Sequence, residues 1–132
     1  MQSCRPSVLI LAVLLAVAPA ASHAYQQIEL LREVGEPGKK PSQRLLNEPR
    51  AIALAGDRMY IADSEAHRIL VLDQEGKTIT SWGKKGDQPG EFRSPVGIAV
   101  DGQGRVYVTD RGNGRVQVFS SAGELVRVFG RQ

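Results

Sequence analysis

The chain is almost without cysteine. Cys4 is the only one, so an internal disulfide is excluded and thiol chemistry has no place beyond the first few residues. Histidine is nearly as scarce. His23 and His67 are the whole supply, and a centre built from three histidines cannot come from one copy of the chain. Long apolar runs are missing too. The longest, Val8–Ala18, has eleven residues, short of the ~20 needed to span a bilayer. No later apolar run reaches the ~10 residues of a typical helix, which excludes a helical repeat. Charge of one sign is never gathered into a block. Lys39-Lys40 and Lys84-Lys85 are pairs only and read as solvated loop charges, so a nucleic-acid arm is excluded. Gly102-Gln103-Gly104 and Gly112-Asn113-Gly114 have no helix behind them and are turns rather than phosphate loops.

What is present begins with a targeting signature. Arg5 precedes the apolar run, Pro19 follows it, and small residues lead to Ser22-His23-Ala24 before Tyr25. That order is the pattern of a secretory signal peptide over 1–24, cut after Ala24, with Ala18-Pro19-Ala20 as a second cleavage site. The expectation is an exported chain, periplasmic or extracellular, with no stable membrane insertion after cleavage. Removing 1–24 takes away Arg5, leaving 16 basic against 14 acidic residues.

The remainder is organised by a repeat. Residues 49–83, PRAIALAGDRMYIADSEAHRILVLDQEGKTITSWG, return as 95–130, PVGIAVDGQGRVYVTDRGNGRVQVFSSAGELVRVFG. Asp63 returns as Asp110, Arg68 as Arg115, Gly76 as Gly123 and Gly83 as Gly130, each after 47 residues. A fixed period of this size marks a solenoid or a propeller. Within each copy, runs of four or five β-branched and aromatic residues alternate with Gly, Asn, Asp and Ser clusters, which predicts a four-stranded antiparallel meander. The second strands, Met59-Tyr60-Ile61-Ala62 and Val106-Tyr107-Val108, are apolar on both faces, as in a sheet covered on both sides. The first strands carry small residues, Ala51 and Ala53, then Gly97 and Ala99, which suit a crowded position near an axis. Ile28–Gly35 reads as one further strand, resembling the last strand of each copy. Residues 36–48 and 84–94 read as polar connectors.

The two copies resemble NHL repeats. The resemblance rests on Pro95-x-Gly97-Ile98-Ala99-Val100-Asp101, Val106-Tyr107-Val108-Thr109-Asp110, Asn113-x-Arg115-Val116-Gln117-Val118-Phe119 and the closing Phe129-Gly130. The connector Gly86–Phe92, GDQPGEF, fits the same pattern. The resemblance implies an all-β fold, a partial β-propeller with two four-stranded antiparallel blades at 49–83 and 95–130. One extra strand lies within 25–48, after the signal peptide. It also implies a binding platform, usually six-bladed, whose second-to-third strand loops and connectors share one face. A ring of six needs ~250 residues. Leaving roughly 400 Å² of apolar face open costs on the order of 10 kcal/mol, comparable to the whole stability of a domain. The sequence therefore predicts either a fragment of a longer propeller or copies that associate to complete a ring. It also predicts that an isolated pair of blades exposes apolar faces beside Met59-Tyr60-Ile61 and Val106-Tyr107-Val108.

Asp63 with Arg68 and Asp110 with Arg115 bracket the second-to-third strand loops. Because the pairs recur once per blade, they read as structural, as do Gly83 and Gly130. Loop residues that differ between the blades, Arg50, His67, Arg93, Arg111 and Asn113, are the candidates for contact with a protein, peptide or glycan partner. No cofactor and no nucleic acid is expected. The alternative is a fragment of a metal-dependent propeller enzyme resembling peptidyl-α-hydroxyglycine α-amidating lyase, in which His67 would be a ligand.

Overall fold

A computed structural model describes residues 45–130. The expected signal peptide, the strand at 28–35 and most of the first connector lie outside the described residues. The chain within them forms two four-stranded antiparallel sheets, each a simple meander. Blade 1 consists of β1 (Pro49–Ala55), β2 (Arg58–Asp63), β3 (Arg68–Asp73) and β4 (Thr78–Trp82). Blade 2 consists of β5 (Pro95–Val100), β6 (Val106–Asp110), β7 (Arg115–Phe119) and β8 (Leu125–Gly130). This is a partial β-propeller, all-β in class.

Local chemistry sets the turns. Gly56, at φ 60°, opens the two-residue link from β1 to β2, where only a residue without Cβ turns so tightly at little cost. The matching turn in blade 2 is longer and is held by a side chain. The Asp101 carboxylate accepts the N–H groups of Gln103 and Arg105, at 2.9 and 3.0 Å, and the Arg105 Nε–H at 2.7 Å. The third turns use side-chain acceptors at one repeat position. Asp73 accepts the N–H groups of Glu75 and Lys77, and Ser120 those of Ala122 and Glu124. Both residue types favour such turns because a short side-chain acceptor mimics a backbone carbonyl.

The core lies between the sheets. Tyr60, Ala62, Ile69 and Val71 of blade 1 meet Val106, Val108 and Phe119 of blade 2, with Phe92 of the connector among them. Trp82, Phe119 and Phe92 form a chain of tilted rings, with centroids 5.8 and 5.6 Å apart. β1 and β5, the strands with small residues, lie side by side.

Exposure of the second strands differs from expectation. Met59, Tyr60 and Ile61 are all buried, so blade 1 has no open face beside them. Alternation explains the pattern. Tyr60 points into the inter-blade core, while Met59 and Ile61, buried as well, share the opposite face with Leu70 and Leu72. In blade 2, Val106 and Val108 are buried, and Tyr107 between them is only half-buried on the outer face.

Candidate functional site at the connector end

Strand register places the loops. Pro49 pairs with Asp63 and Pro95 with Asp110, while Asp63 pairs with Arg68 and Asp110 with Arg115. Each hairpin loop therefore sits beside the connector that enters its own blade. Backbone hydrogen bonds seal the junction in the same way twice. Ser64 and Glu65 donate to the carbonyls of Glu48 and Asn47, and Arg111 and Gly112 donate to those of Ser94 and Arg93. Gly112 is required there, because a Cβ would collide with the Arg93 carbonyl. In blade 2 the loop tightens into a single 3-10 turn, Arg111–Asn113, ended by Gly114 in the left-handed region. The sequence pattern reads only as a loop at this point.

The paired charges work beneath this surface. Asp63 is buried and accepts the Asn47 N–H at 2.7 Å and the Arg68 Nε–H at 3.0 Å. Burial pushes its carboxyl above the usual carboxylate value, against the pull of the Asn47 N–H and the Arg68 guanidinium. Asp110 accepts the Arg93 N–H at 2.8 Å, the Asn113 Nδ2–H at 2.7 Å and the Arg115 Nε–H at 3.3 Å. Arg115 then donates to the carbonyls of Asp87, Gln88 and Glu91, at 2.7 to 2.8 Å. One guanidinium thus straps the connector onto blade 2, a use of its fixed fork of donors.

Gln117 completes the strap. It is fully buried, accepts the Gly90 N–H at 2.7 Å and donates to the Glu91 carbonyl at 2.8 Å. Sequence reasoning missed it. The available signal was the comparison of repeats, because the matching position in blade 1 is Leu70, and a polar residue replacing a buried apolar one needs partners.

The five candidate contact residues divide. Asn113 is committed to Asp110 and, at 2.9 Å, to the Gly86 carbonyl. His67 is half-buried with φ 52° and accepts the Ser94 N–H on Nδ1 at 3.2 Å, which links blade 1 to the next connector. Its repeat partner Gly114 holds the same left-handed conformation at φ 62°. Arg50 is exposed and ion-paired with Glu48 at 3.3 Å. Arg93 and Arg111 are exposed, and neither makes a side-chain hydrogen bond or ion pair among the described residues. Their backbones are tied through Ser94 and Gly112, so the two guanidinium groups leave from one ledge. Among the described residues no group of three or more His, Cys, Asp or Glu is spaced to hold a metal ion.

The profile of the NHL repeat matches residues 92–119, from the connector phenylalanine to the end of β7. The chain belongs to the NHL-repeat family. Its similarity to human NHL repeat-containing protein 3 is 35% identity over 101 residues, covering 69% of this chain and 28% of that protein. Human E3 ubiquitin-protein ligase TRIM32 is 50% identical over 46 residues, 35% of this chain and 7% of the ligase. The chain thus spans under a third of the length of these relatives. Among solved structures, a candidate exported protein of Bacteroides fragilis superposes with a TM-score of 0.60 at 18% identity, over 74% of this chain and 27% of that one. That likeness concerns the fold alone.

Proposed function

We propose that this NHL-repeat chain is a non-enzymatic binding module of an exported propeller. Its connector end holds a carboxylate-bearing protein, peptide or glycan. One observation carries the reading. Arg93 and Arg111 stand side by side and exposed on a hydrogen-bonded ledge, while the polar groups around them are already spent on holding that ledge. A rigid ledge presenting two donor forks favours carboxylate recognition, because little side-chain entropy is lost per hydrogen bond formed. Catalysis needs a poised acid, base or nucleophile. Asp63, Asp110 and His67 instead each serve a backbone N–H. Export follows from the residues of 1–24, and the intact mass of the secreted chain, expected to begin at Tyr25, checks it.

Binding to an array of acidic peptides and uronate-bearing glycans tests the ligand class. Arg93→Ala with Arg111→Ala should weaken the best binder at least tenfold and leave the melting temperature in place. Undiminished binding by the double variant would refute the assignment, and turnover of any ligand by the purified protein would refute the non-enzymatic part.

A further inference from the structure

The junction of hairpin and connector is built twice, and one of its contacts is built only once. In both blades the loop N–H groups donate to connector carbonyls, and the buried aspartate accepts a connector N–H. The Ser94 N–H departs from the pattern. It donates to Nδ1 of His67, at 3.2 Å, on the hairpin of blade 1. The residue matching His67 in blade 2 is Gly114, which has no side chain to offer. The bond falls where it acts on an arginine. The peptide unit joining Arg93 to Ser94 has its carbonyl held by the Gly112 N–H at 2.7 Å and its N–H held by His67. Blade 2 fixes one end of that unit and blade 1 the other. Ser94 itself stands at φ 69°, ahead of Pro95, a conformation that persists only where neighbours hold it.

We infer that His67 is a positioning residue of the arginine ledge and makes its hold on a carboxylate depend on protonation. The inference rests on the ligand class proposed above. An imidazole accepts on Nδ1 only while its proton sits on Nε2. A second proton turns Nδ1 into a donor that faces the Ser94 N–H, two donors with no acceptor between them. The half-buried Ser94 N–H then loses its partner, and the Arg93–Ser94 unit stays tied to blade 2 alone. A fork that must be ordered on binding holds its ligand less tightly. Of the charged groups on the elements joined here, Asp63 is paired with Arg68, Glu48 with Arg50 and Lys84 with Glu91. Glu65 lies two residues before the ring, and Arg93 and Arg111 lie beside Ser94. Protonation also adds positive charge near two arginines, which favours an anion. Lost order and added attraction therefore act in opposite directions, and the inference commits to lost order.

Two readouts on the full chain test it, from about pH 8 to about pH 5.5, where histidine is the side chain that changes charge. Anisotropy of a fluorescein-labelled oligoglutamate peptide reads the ledge, and the hydrogen-exchange protection factor of the Ser94 amide reads the contact itself. At the acid end the wild-type chain should lose protection at Ser94 and bind the peptide more weakly, each by about fivefold. His67→Asn keeps an acceptor at the same distance from the backbone and tolerates the left-handed φ of 52°. It should hold both readouts level across the range. His67→Gly keeps the backbone, since Gly114 holds the same conformation, and removes the acceptor. It should match the acid wild type at both ends of the range. His23, retained in both variants, is the internal control. Unchanged Ser94 protection in His67→Gly, a pH profile that persists in His67→Asn, or binding that strengthens with acid would each overturn the inference. Binding that obeys Arg93→Ala with Arg111→Ala but ignores His67 overturns this inference alone. Binding that ignores the two arginines overturns the ledge, and this inference with it.

Discussion

Gln117 shows how one residue can decide whether a loop belongs to a sheet. Its amide is buried and uses both ends on the connector backbone, at Gly90 and Glu91. Replacing it by the leucine of the other repeat, Gln117→Leu, keeps the volume and leaves the half-buried Gly90 N–H without its acceptor, while the Glu91 carbonyl keeps only Arg115. The cost of unmade buried hydrogen bonds predicts a loss of about 1–3 kcal/mol, read from urea denaturation, although leucine is the repeat's own choice at Leu70. Asp101 gives the pH dependence. Desolvation would raise its carboxyl, but the Arg105 N–H and guanidinium, the Gln103 N–H and the Tyr107 hydroxyl outweigh it. Together they lower the pKa from 3.8 to about 2. A depressed folded pKa means a stabilisation that is present above pH 3.8 and lost as pH falls through about 2. Melting temperatures taken from pH 5 downward should fall, and Asp101→Asn should flatten that fall. An unchanged slope in the variant would show that other carboxylates set the acid limit.

At the scale of elements, the connector 84–94 is as much a part of the core as any strand. Phe92 sits between the sheets, and its backbone closes on Lys84 and Gly86. Large-to-small changes at buried aromatics cost about 3–5 kcal/mol, so Phe92→Ala should approach the stability of the whole unit. Gly83→Ala should cost about 3 kcal/mol or more, combining a left-handed φ with overpacking against that ring. Arg115→Met, which keeps the stem and drops the strap, should instead free the connector while the strands persist. Hydrogen exchange would then show the amides of Gly90 and Glu91 losing protection ahead of those in β6. Simultaneous loss across both would mean that connector and sheet open as one unit.

Among the described residues of the whole molecule, Leu54 and Ile79 are exposed singly on blade 1, and the large exposed apolar side chains of blade 2 gather on one strand. β8 is an edge strand carrying the exposed residues Leu125, Val126 and Phe129, and such an edge invites pairing with another chain. Arg127 among them is the kind of charge that blunts an edge. The expected outcome is concentration-dependent association by light scattering. Val126→Lys with Phe129→Lys should return the apparent molar mass toward that of one chain. Association unaffected by both substitutions would place the contact elsewhere. The expected open face beside Met59, Tyr60 and Ile61 does not contribute, since all three are buried.

Much of the fold was legible because it is local. Short β-branched runs ended by glycine and aspartate specify strands and hairpins within each repeat, and the recurrence of Asp63 and Arg68 as Asp110 and Arg115 marked the hairpin ends. The choice of face in β2 was not legible, because Met59-Tyr60-Ile61-Ala62 is apolar at every position and alternation leaves no trace when both faces are buried. The candidate site was half legible for a related reason. Arg93 and Arg111 read as loop cations and are exposed. His67 and Asn113 read the same way but are consumed by Ser94 and Gly86, each 27 residues distant along the chain. Arg115 and Gln117 likewise find their carbonyls 24 to 28 residues away. A backbone carbonyl looks the same in every residue, so no side-chain pattern announces which one a buried amide or guanidinium will meet. Packing blade against blade settles that, by bringing the connector over β7 and excluding water from the groups between them.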